Sequence, residues 1–378
     1  MCPLENEKSI EVAEKLTIVH IMNDCRNNGN GIINATVDLA CEQAKLGYNV
    51  YVVSAGGSFC ALLEQNSVRH IVINQDRTPL TILKALYQFH KILKKLNPEI
   101  VHAQMVTGLV LANLLKPLHN YKLVATMHNE WQKASKLMSQ ADIIVSVSYK
   151  IQNLLIQKGV PKRKIRVVQN GTVGSIRNTL DKNDITLKRP SVSIIAGLFH
   201  RKGVDVLMKA FELLRDQLPS VQLYIVGNGD QYENLLNLKK QSVYSDSIHF
   251  LGFKSNIPNI LEQTDVFVLP SRNEPFGLVL SEARERGCAV VGSNVGGIPE
   301  VLEHGEKGML FEPEDHDELA KILTTLFSDD SHLKYWKEQS QIGLEWLSVV
   351  RVCDETIEVY RAILSDMKPI NCTDHKEI

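Results

Sequence analysis

Short apolar runs alternate with helical segments along almost the whole chain, and this alternation restarts once near the middle. The first series opens with a strand predicted at 16–22 and a helix predicted at 32–46. The second opens with a strand predicted at 191–196. Strands that alternate with helices favour parallel sheets covered by helices. Because 378 residues are too many for one ordinary core, we predict an α/β protein with two domains.

A polar stretch at 172–190 separates the two series, and we interpret it as the interdomain linker. The first domain is then predicted to cover residues 1–180, and the second residues 190–349. A loop with Gly29 and Gly31 follows the first strand. This loop either cups a donor phosphate or an acceptor, or it is an ordinary strand-to-helix turn. It lacks the full dinucleotide fingerprint, so an NAD site is not predicted.

Composition narrows the class of protein. Hydrophobic residues make up 44% of the chain and charged residues 22%, which is typical of a soluble globular protein. The seven cysteines are scattered without a Cys-x-x-Cys pair, which argues for a reducing compartment and against zinc or a disulfide framework. The N-terminus has no apolar signal segment, and no apolar run approaches the roughly 20 residues of a membrane span. We therefore expect a cytoplasmic protein.

The small net charge of −1 conceals an asymmetry between the two halves. Residues 1–189 contain 24 Lys and Arg against 14 Asp and Glu, a net charge of +10, and the remainder contains 18 against 29, a net charge of −11. A predicted amphipathic helix at 80–96 contains four of these lysines. Its basic face is either a solvated surface or a contact for anionic lipid headgroups, which would make the protein peripheral on the inner face of the membrane.

The most informative stretch lies in the second domain. An apolar run at 265–269 stops at Pro270, and a tight loop leads to a helix predicted from Leu278. Glu274 lies in the loop, and Glu282 lies one turn into the helix. A helix N-terminus beside the carboxyl end of a parallel strand suits a phosphate-bearing ligand. The two carboxylates either share that site or are solvated surface groups.

A second motif follows, because residues 296–300 read Gly-Gly-Ile-Pro-Glu after another predicted strand. Together the two motifs resemble the signature of the retaining, nucleotide-sugar-dependent glycosyltransferases of family 4. The resemblance implies the GT-B fold, with two facing Rossmann-like domains and a deep cleft between them. It also implies that the C-terminal helical segment, 350–378, packs back on the first domain, and that synthesis of a polysaccharide or glycolipid is the setting.

The resemblance also implies a set of roles for a donor, with a UDP-sugar expected. Glu282 would bind the ribose diol, Glu274 would lie near the hexose, and His128 would lie near the donor sugar. His128, at the end of a predicted strand, is either a structural residue or part of this site, and Arg201 and Lys202 are either solvated or bind the diphosphate. The remaining expected donor contacts, to the diphosphate and the base, are Gly31, Arg201, Lys202, Phe253, Lys254, Phe276, Gly277 and Leu278.

Two expectations concern the leaving diphosphate. We expect no Asp-x-Asp metal motif in the chain, so that cations of the protein replace a divalent ion at the leaving group. The family pattern Gly-Arg-Leu reads Ala-Gly-Leu here, with Gly197 in place of the arginine, so Arg201 or Lys202 would have to substitute. The acceptor would be a hydroxyl of a glycan or of a lipid-linked acceptor, and no nucleic acid partner is expected. Two alternatives stay open, a nucleotide-sugar epimerase of the same architecture and a non-catalytic nucleotide-sugar-binding protein.

Overall fold

The computed structural model describes residues 15–129, 135–179 and 185–365. Its first half alternates seven strands with six helices, in the order β1 (Thr17–Ile21), α1 (Gly31–Lys45), β2 (Asn49–Ser54), α2 (Cys60–Gln65), β3 (Arg69–Val72), α3 (Pro79–Leu96), β4 (Ile100–Ala103), α4 (Val106–Leu115), β5 (Lys122–Met127), α5 (Ser135–Met138), β6 (Ile143–Ser146), α6 (Tyr149–Gln157) and β7 (Ile165–Val167).

The second half repeats this alternation and ends in three helices. Its elements are β8 (Ser191–Ile195), α7 (Val204–Gln217), β9 (Gln222–Val226), α8 (Tyr232–Gln241), β10 (Ile248–Gly252), α9 (Ile257–Glu262), β11 (Val266–Leu269), α10 (Leu278–Glu285), β12 (Ala289–Ser293), α11 (Ile298–Val301), β13 (Met309–Phe311), α12 (His316–Ser328), α13 (Asp330–Ser340) and α14 (Val349–Leu364).

Each half forms its own parallel sheet. The first sheet has the strand order β3-β2-β1-β4-β5-β6-β7, and the second has the order β10-β9-β8-β11-β12-β13. In both sheets the order reverses beside the first strand, between β1 and β4 and between β8 and β11. Ligands of open α/β sheets bind at such switch points, outside the carboxyl ends of the strands. The predicted α/β architecture with two Rossmann-like sheets is confirmed.

Burial explains why these segments form strands. All four residues of β4, β6 and β11 are buried, as expected for parallel strands covered by helices on both faces. Helix starts follow local capping chemistry. Asn30 caps α1 by accepting a hydrogen bond from the backbone N–H of Ile32, and Thr78 caps α3 with Pro79 at its first position.

Some predicted elements differ from the structure. The helix predicted at 331–346 ends at Ser340, because Gly343 adopts a left-handed backbone (φ 73°) and a short 3₁₀ turn follows it. Helices α2, α4, α5 and α11 and strand β13 were not predicted. Part of the predicted linker (180–184), residues 130–134, and the tail from 366 lie outside the described residues.

The last helix, α14, packs against α1 of the first half. Its Tyr360 is fully buried, and the phenolic oxygen lies 2.6 Å from Nδ1 of His102 on β4. Arg351 donates a hydrogen bond of 2.8 Å to the backbone oxygen of Gln169. In the part of the chain that the structure describes, every helix is too short or too polar to span a bilayer.

Candidate functional site

A cleft of about 810 Å³ lies between the carboxyl edges of the two sheets. Its walls combine loops of the first domain with loops that follow β8, β10 and β11 of the second. All eleven side chains proposed from the sequence line this one cleft: Gly31, His128, Arg201, Lys202, Phe253, Lys254, Glu274, Phe276, Gly277, Leu278 and Glu282. The volume lies within the range of small-molecule sites. The individual roles of these eleven residues remain predictions.

Glu274 is a buried carboxylate with a cationic partner. Its side chain forms an ion pair with Lys202, and both side chains are about nine-tenths buried, with 9% and 11% of their surface exposed. The hydroxyl of Ser271 donates to the same carboxylate at 3.3 Å. Lys202 comes from the loop after β8, so the pair joins the two loops at the switch point of the second sheet. The ion pair with Lys202 therefore holds the Glu274 carboxylate in place before any ligand binds.

The Gly-Gly motif supports the loop that contains Glu274. Gly296 has a left-handed backbone (φ 62°), and a Cβ atom built there would lie 1.8 Å from the backbone oxygen of Glu274. A Cβ atom at Gly297 would lie 2.5 Å from the backbone oxygen of Pro275. The backbone N–H of Gly297 also donates to the backbone oxygen of Glu274 at 2.9 Å. The motif is required because only glycine lets the two backbones approach this closely.

Glu282 is linked to the first domain through an arginine. Nη2 of Arg177 lies 3.4 Å from its carboxylate, and the same guanidinium forms a bidentate ion pair with Asp38 on α1 at 3.0 and 3.1 Å. Burial raises the pKa of the Glu282 carboxyl, and the charge of Arg177 opposes that rise. The arrangement keeps an accepting carboxylate at the floor of the cleft, where it can bind a pair of hydroxyls.

His128 follows β5 and is held by a chain of buried polar side chains. Its Nε2 lies 2.9 Å from Oε1 of Gln104, whose amide nitrogen lies 3.2 Å from Nδ1 of His20. Burial lowers the pKa of His128 to about 3, so its ring is neutral at pH 7. The chain continues from His20 through Gln43 to Tyr360 on α14. A neutral, oriented imidazole can hydrogen-bond a sugar hydroxyl but cannot supply positive charge.

The loop at 197–203 contains the departure from the family pattern. A Cβ atom at Gly197 would lie 2.7 Å from the ring of Phe199, so an arginine there would displace that ring. The guanidinium of Arg201 lies over the same ring, 5.9 Å from its centre. Gly203 (φ 64°) lets this loop pass against the backbone oxygen of Pro270. The loop after β8, packed against the loop after β11, therefore presents both Arg201 and Lys202 on one wall.

The two domains touch on both sides of the cleft. Gly31 of the first domain faces Leu278 of the second. A Cβ atom built on Gly31 would lie 3.2 Å from Cδ1 of Leu278. On the opposite side, Glu300 accepts hydrogen bonds of 3.0 Å from the backbone N–H groups of Tyr149 and Lys150, at the start of α6. Gln169 donates to the same carboxylate at 2.7 Å. A carboxylate from the second domain thus caps a helix of the first.

One Asp-x-Asp triplet does occur, at 315–317, but it lies away from the cleft lining. Its Asp315 is the N-cap of α12 and accepts a hydrogen bond of 2.8 Å from the backbone of Glu318. Its role is therefore explained by helix capping. It does not supply ligands beside the Glu274 and Lys202 pair.

Several lining residues were not predicted from the sequence. Arg177 was assigned to the linker, because a polar stretch without a motif gives no sign that one cation folds back onto α1. Gln104 does not itself line the cleft but holds His128, and it was missed for a similar reason, since only its position directly after β4 points to the site. The side chains of Asn228 and Phe199 also line it. Position at the carboxyl end of a strand was the available signal for Gln104.

Comparison with known proteins gives matches over both domains. The family model described as glycosyltransferase family 4 matches residues 29–173, and the one described as glycosyl transferases group 1 matches residues 175–342. N-acetyl-α-D-glucosaminyl L-malate synthase of Bacillus anthracis is 24% identical over 369 residues, which cover 90% of this chain and 95% of the relative. N,N′-diacetylbacillosaminyl-diphospho-undecaprenol α-1,3-N-acetylgalactosaminyltransferase of Campylobacter jejuni is 23% identical, over 79% of this chain and 87% of the relative.

Among solved structures, Anabaena HepE in complex with UDP-glucose superposes with a TM-score of 0.76 at 23% identity, covering 93% of this chain and all of HepE. That likeness shows the GT-B fold, as predicted. The fold and the family models together define the class as a glycosyltransferase with the GT-B fold. The chain belongs to the group 1 glycosyltransferases of family 4, and the predicted enzyme class, a glycosyltransferase, is confirmed.

Proposed function

We propose that this protein transfers a hexose, with retention of configuration, from a UDP-sugar to a hydroxyl of a glycan or lipid-linked acceptor. The observation that carries the proposal is the clustering of Glu274, Glu282 and Lys202 in one interdomain cleft. HepE binds UDP-glucose, and both named relatives transfer an N-acetylhexosamine. These likenesses support a nucleotide-sugar donor and a role in the synthesis of a glycan.

Each part of a nucleotide sugar has a matching group in the cleft. The Glu282 carboxylate accepts the two ribose hydroxyls, and Phe253 and Lys254 flank the base. Lys202, Arg201 and the backbone N–H groups at 276–278 neutralise the diphosphate at the start of α10. Glu274 and His128 face the hexose, where Glu274 stabilises positive charge that develops on the sugar ring.

The transfer step follows from this arrangement. The bond from the anomeric carbon to the diphosphate oxygen breaks, and the acceptor oxygen bonds to that carbon on the same face. The leaving diphosphate takes the proton of the acceptor hydroxyl. Lys202 and Arg201 stabilise the charge that accumulates on the leaving group, so we propose that no divalent ion is needed. Closure of the two domains excludes water that would hydrolyse the donor.

The first test is calorimetric binding of UDP, GDP and ADP in buffer free of Mg²⁺ and Mn²⁺. We expect selective binding of UDP, and an affinity about 100-fold lower for the Glu282→Ala protein, because two hydrogen bonds to a charged group are lost. Glu358, an exposed residue on α14, gives the matched control Glu358→Ala, which should bind UDP like the wild type. Equal binding by the Glu282→Ala protein would contradict the ribose assignment.

Product analysis separates transfer from the alternatives. A transferase releases UDP in proportion to added acceptor, whereas an epimerase converts one UDP-sugar into another with no acceptor present. A non-catalytic protein binds UDP but turns over neither. Family membership favours transfer. Interconversion of UDP-sugars in the absence of an acceptor would contradict the proposed transfer reaction.

Helix α3 favours an acceptor at a membrane surface. Leu80, Leu83 and Tyr87 are large apolar side chains exposed by 81%, 64% and 60%, and they follow one another at helical spacing. Lys84 and Lys91 are exposed on the same stretch of helix. An exposed apolar stripe bordered by lysines is typical of a helix that lies in the headgroup region of a bilayer. We propose that the first domain docks there, as a peripheral contact with anionic lipid.

Vesicle sedimentation tests this contact. We expect wild-type protein to sediment with vesicles that contain anionic lipid at low salt and to be released at high salt, since each lysine contributes on the order of 1 kcal/mol. The double variant Lys84→Ala/Lys91→Ala should lose most binding. Lys240→Ala/Lys321→Ala, at exposed sites of the second domain, is the matched control. If both double variants bind alike, α3 is only a solvated surface.

A further inference from the structure

Two cysteines and a histidine from three separate elements meet behind the first-domain wall of the cleft. Cys25 lies in the loop after β1, Cys60 is the first residue of α2, and His70 lies on β3. The two sulfur atoms are 3.1 Å apart, Cys60 Sγ lies 3.6 Å from Nδ1 of His70, and Cys25 Sγ lies 3.9 Å from its Nε2. The three ligand atoms all lie within 4.8 Å of one another.

We propose that Cys25, Cys60 and His70 bind a zinc-type cation at a structural site of the first domain. Two thiolates and one imidazole form a soft donor set that Zn²⁺ favours. A tetrahedral zinc ion with bonds of about 2.3 Å to sulfur separates the sulfurs by about 3.8 Å, so they must open only slightly. Rotation of the His70 ring directs one nitrogen at the ion, and a water would complete the shell.

The surroundings support a metal ion more than a disulfide. Ser54 is fully buried, and its hydroxyl lies 2.8 Å from Nε2 of His70, as a neighbour that orients a metal-binding imidazole does. The imidazole would add nothing to a Cys25–Cys60 bond. Two thiolates would cancel the charge of a divalent ion, whose binding releases the thiol protons.

The site would fix two segments that line the cleft. Cys25 precedes the stretch 27–31, and Phe59 precedes Cys60; both 27–31 and Phe59 line the cleft. The backbone already ties them together, since the N–H of Phe59 donates to the oxygen of Cys25 at 3.0 Å. A Cβ atom at Gly57 would lie 2.5 Å from that same oxygen. An ion at the cluster therefore anchors the glycine loop against α2.

The test uses the full chain, reduced, stripped of metal and titrated with Zn²⁺ against a chromophoric chelator. We expect one Zn²⁺ per chain, thermal stabilisation by the ion, and a thiolate-to-metal charge-transfer band when Co²⁺ replaces it. Cys60→Ser and His70→Ala should each lower the affinity more than about 100-fold. Ser54→Ala should keep the stoichiometry and weaken binding about 10–100-fold.

Matched controls lie elsewhere in the chain. Cys372→Ser removes a thiol outside the described residues, and His249→Ala removes a half-buried histidine of the second domain; both should bind Zn²⁺ like the wild type. Zn²⁺ binding that survives Cys60→Ser overturns the proposal. So does a reduced wild type that binds no Zn²⁺, or a Cys25–Cys60 disulfide found by mass spectrometry in protein purified under glutathione buffer. None of these readouts needs a sugar donor.

Discussion

Replacing Glu274 with alanine is expected to lower kcat for sugar transfer by about 10²–10³-fold, the loss typical of removing one preorganised charge at a reacting centre. The carboxylate is nearly buried, paired with Lys202 and bonded by Ser271, so its charge is fixed in place at no cost during the reaction. Glu274→Gln keeps the shape and the Ser271 contact but removes the charge. We expect it to lose kcat to nearly the same extent.

Steady-state kinetics with purified protein checks this expectation, with UDP binding measured in parallel. Glu338 forms an exposed pair with Lys334 on α13, and Glu338→Gln should leave kcat unchanged, because such surface pairs contribute little. Folding of each variant is compared by its thermal midpoint. Wild-type turnover by Glu274→Gln would show that the negative charge plays no part in transfer.

The second large effect is expected at Gly296. An alanine there combines a left-handed backbone with a Cβ atom 1.8 Å from the backbone oxygen of Glu274, so the loop must move. We expect the free energy of unfolding to fall by about 2–5 kcal/mol, from backbone strain and overpacking together. Transfer activity should fall as well, since the displaced loop contains Glu274, the carboxylate that we propose acts on the hexose.

Gly305 provides the matched control, because it also has a left-handed backbone (φ 103°) but nothing lies within 4 Å of a built Cβ atom. Gly305→Ala should therefore cost only the backbone strain of about 1–2 kcal/mol and keep activity. Chemical denaturation of both variants gives the comparison. Equal losses at the two positions would mean that the close approach at Gly296 has no energetic consequence.

The architecture was predictable because parallel strands buried on both faces appear in sequence as short apolar runs, as in β11, between helices of amphipathic spacing. The cleft was predictable where residues follow the carboxyl end of a strand, as His128 does directly after β5 and as Glu274 does in the loop after β11. Their roles were drawn from a resemblance. Helix α4 and strand β13 were not predicted, because a nearly uniformly apolar helix and a three-residue edge strand give only weak periodicity in the sequence.

Contacts between distant segments were beyond prediction. Arg177 binds Glu282 over a separation of 105 residues, and no local pattern pairs them. The same is true of Cys25, Cys60 and His70, whose spacing matches no metal-binding motif. Because the cysteines are far apart along the chain and form no Cys-x-x-Cys pair, their spacing argued against a zinc site. They meet only because β2 and β3 lie beside β1 in the sheet and bring their flanking segments together.

Glu300 has a consequence for how the two halves of the enzyme move. Glu300 ends the five-residue segment 296–300. This segment contacts the loop of Glu274 at Gly296 and the N-terminus of α6 at Glu300. If the domains separate there, the Glu300 carboxylate must leave the backbone N–H groups of Tyr149 and Lys150, and water must then hydrate the carboxylate and both N–H groups. The stretch that carries the family motif therefore also connects the two domains, so that a change in their relative position acts on the loop of Glu274.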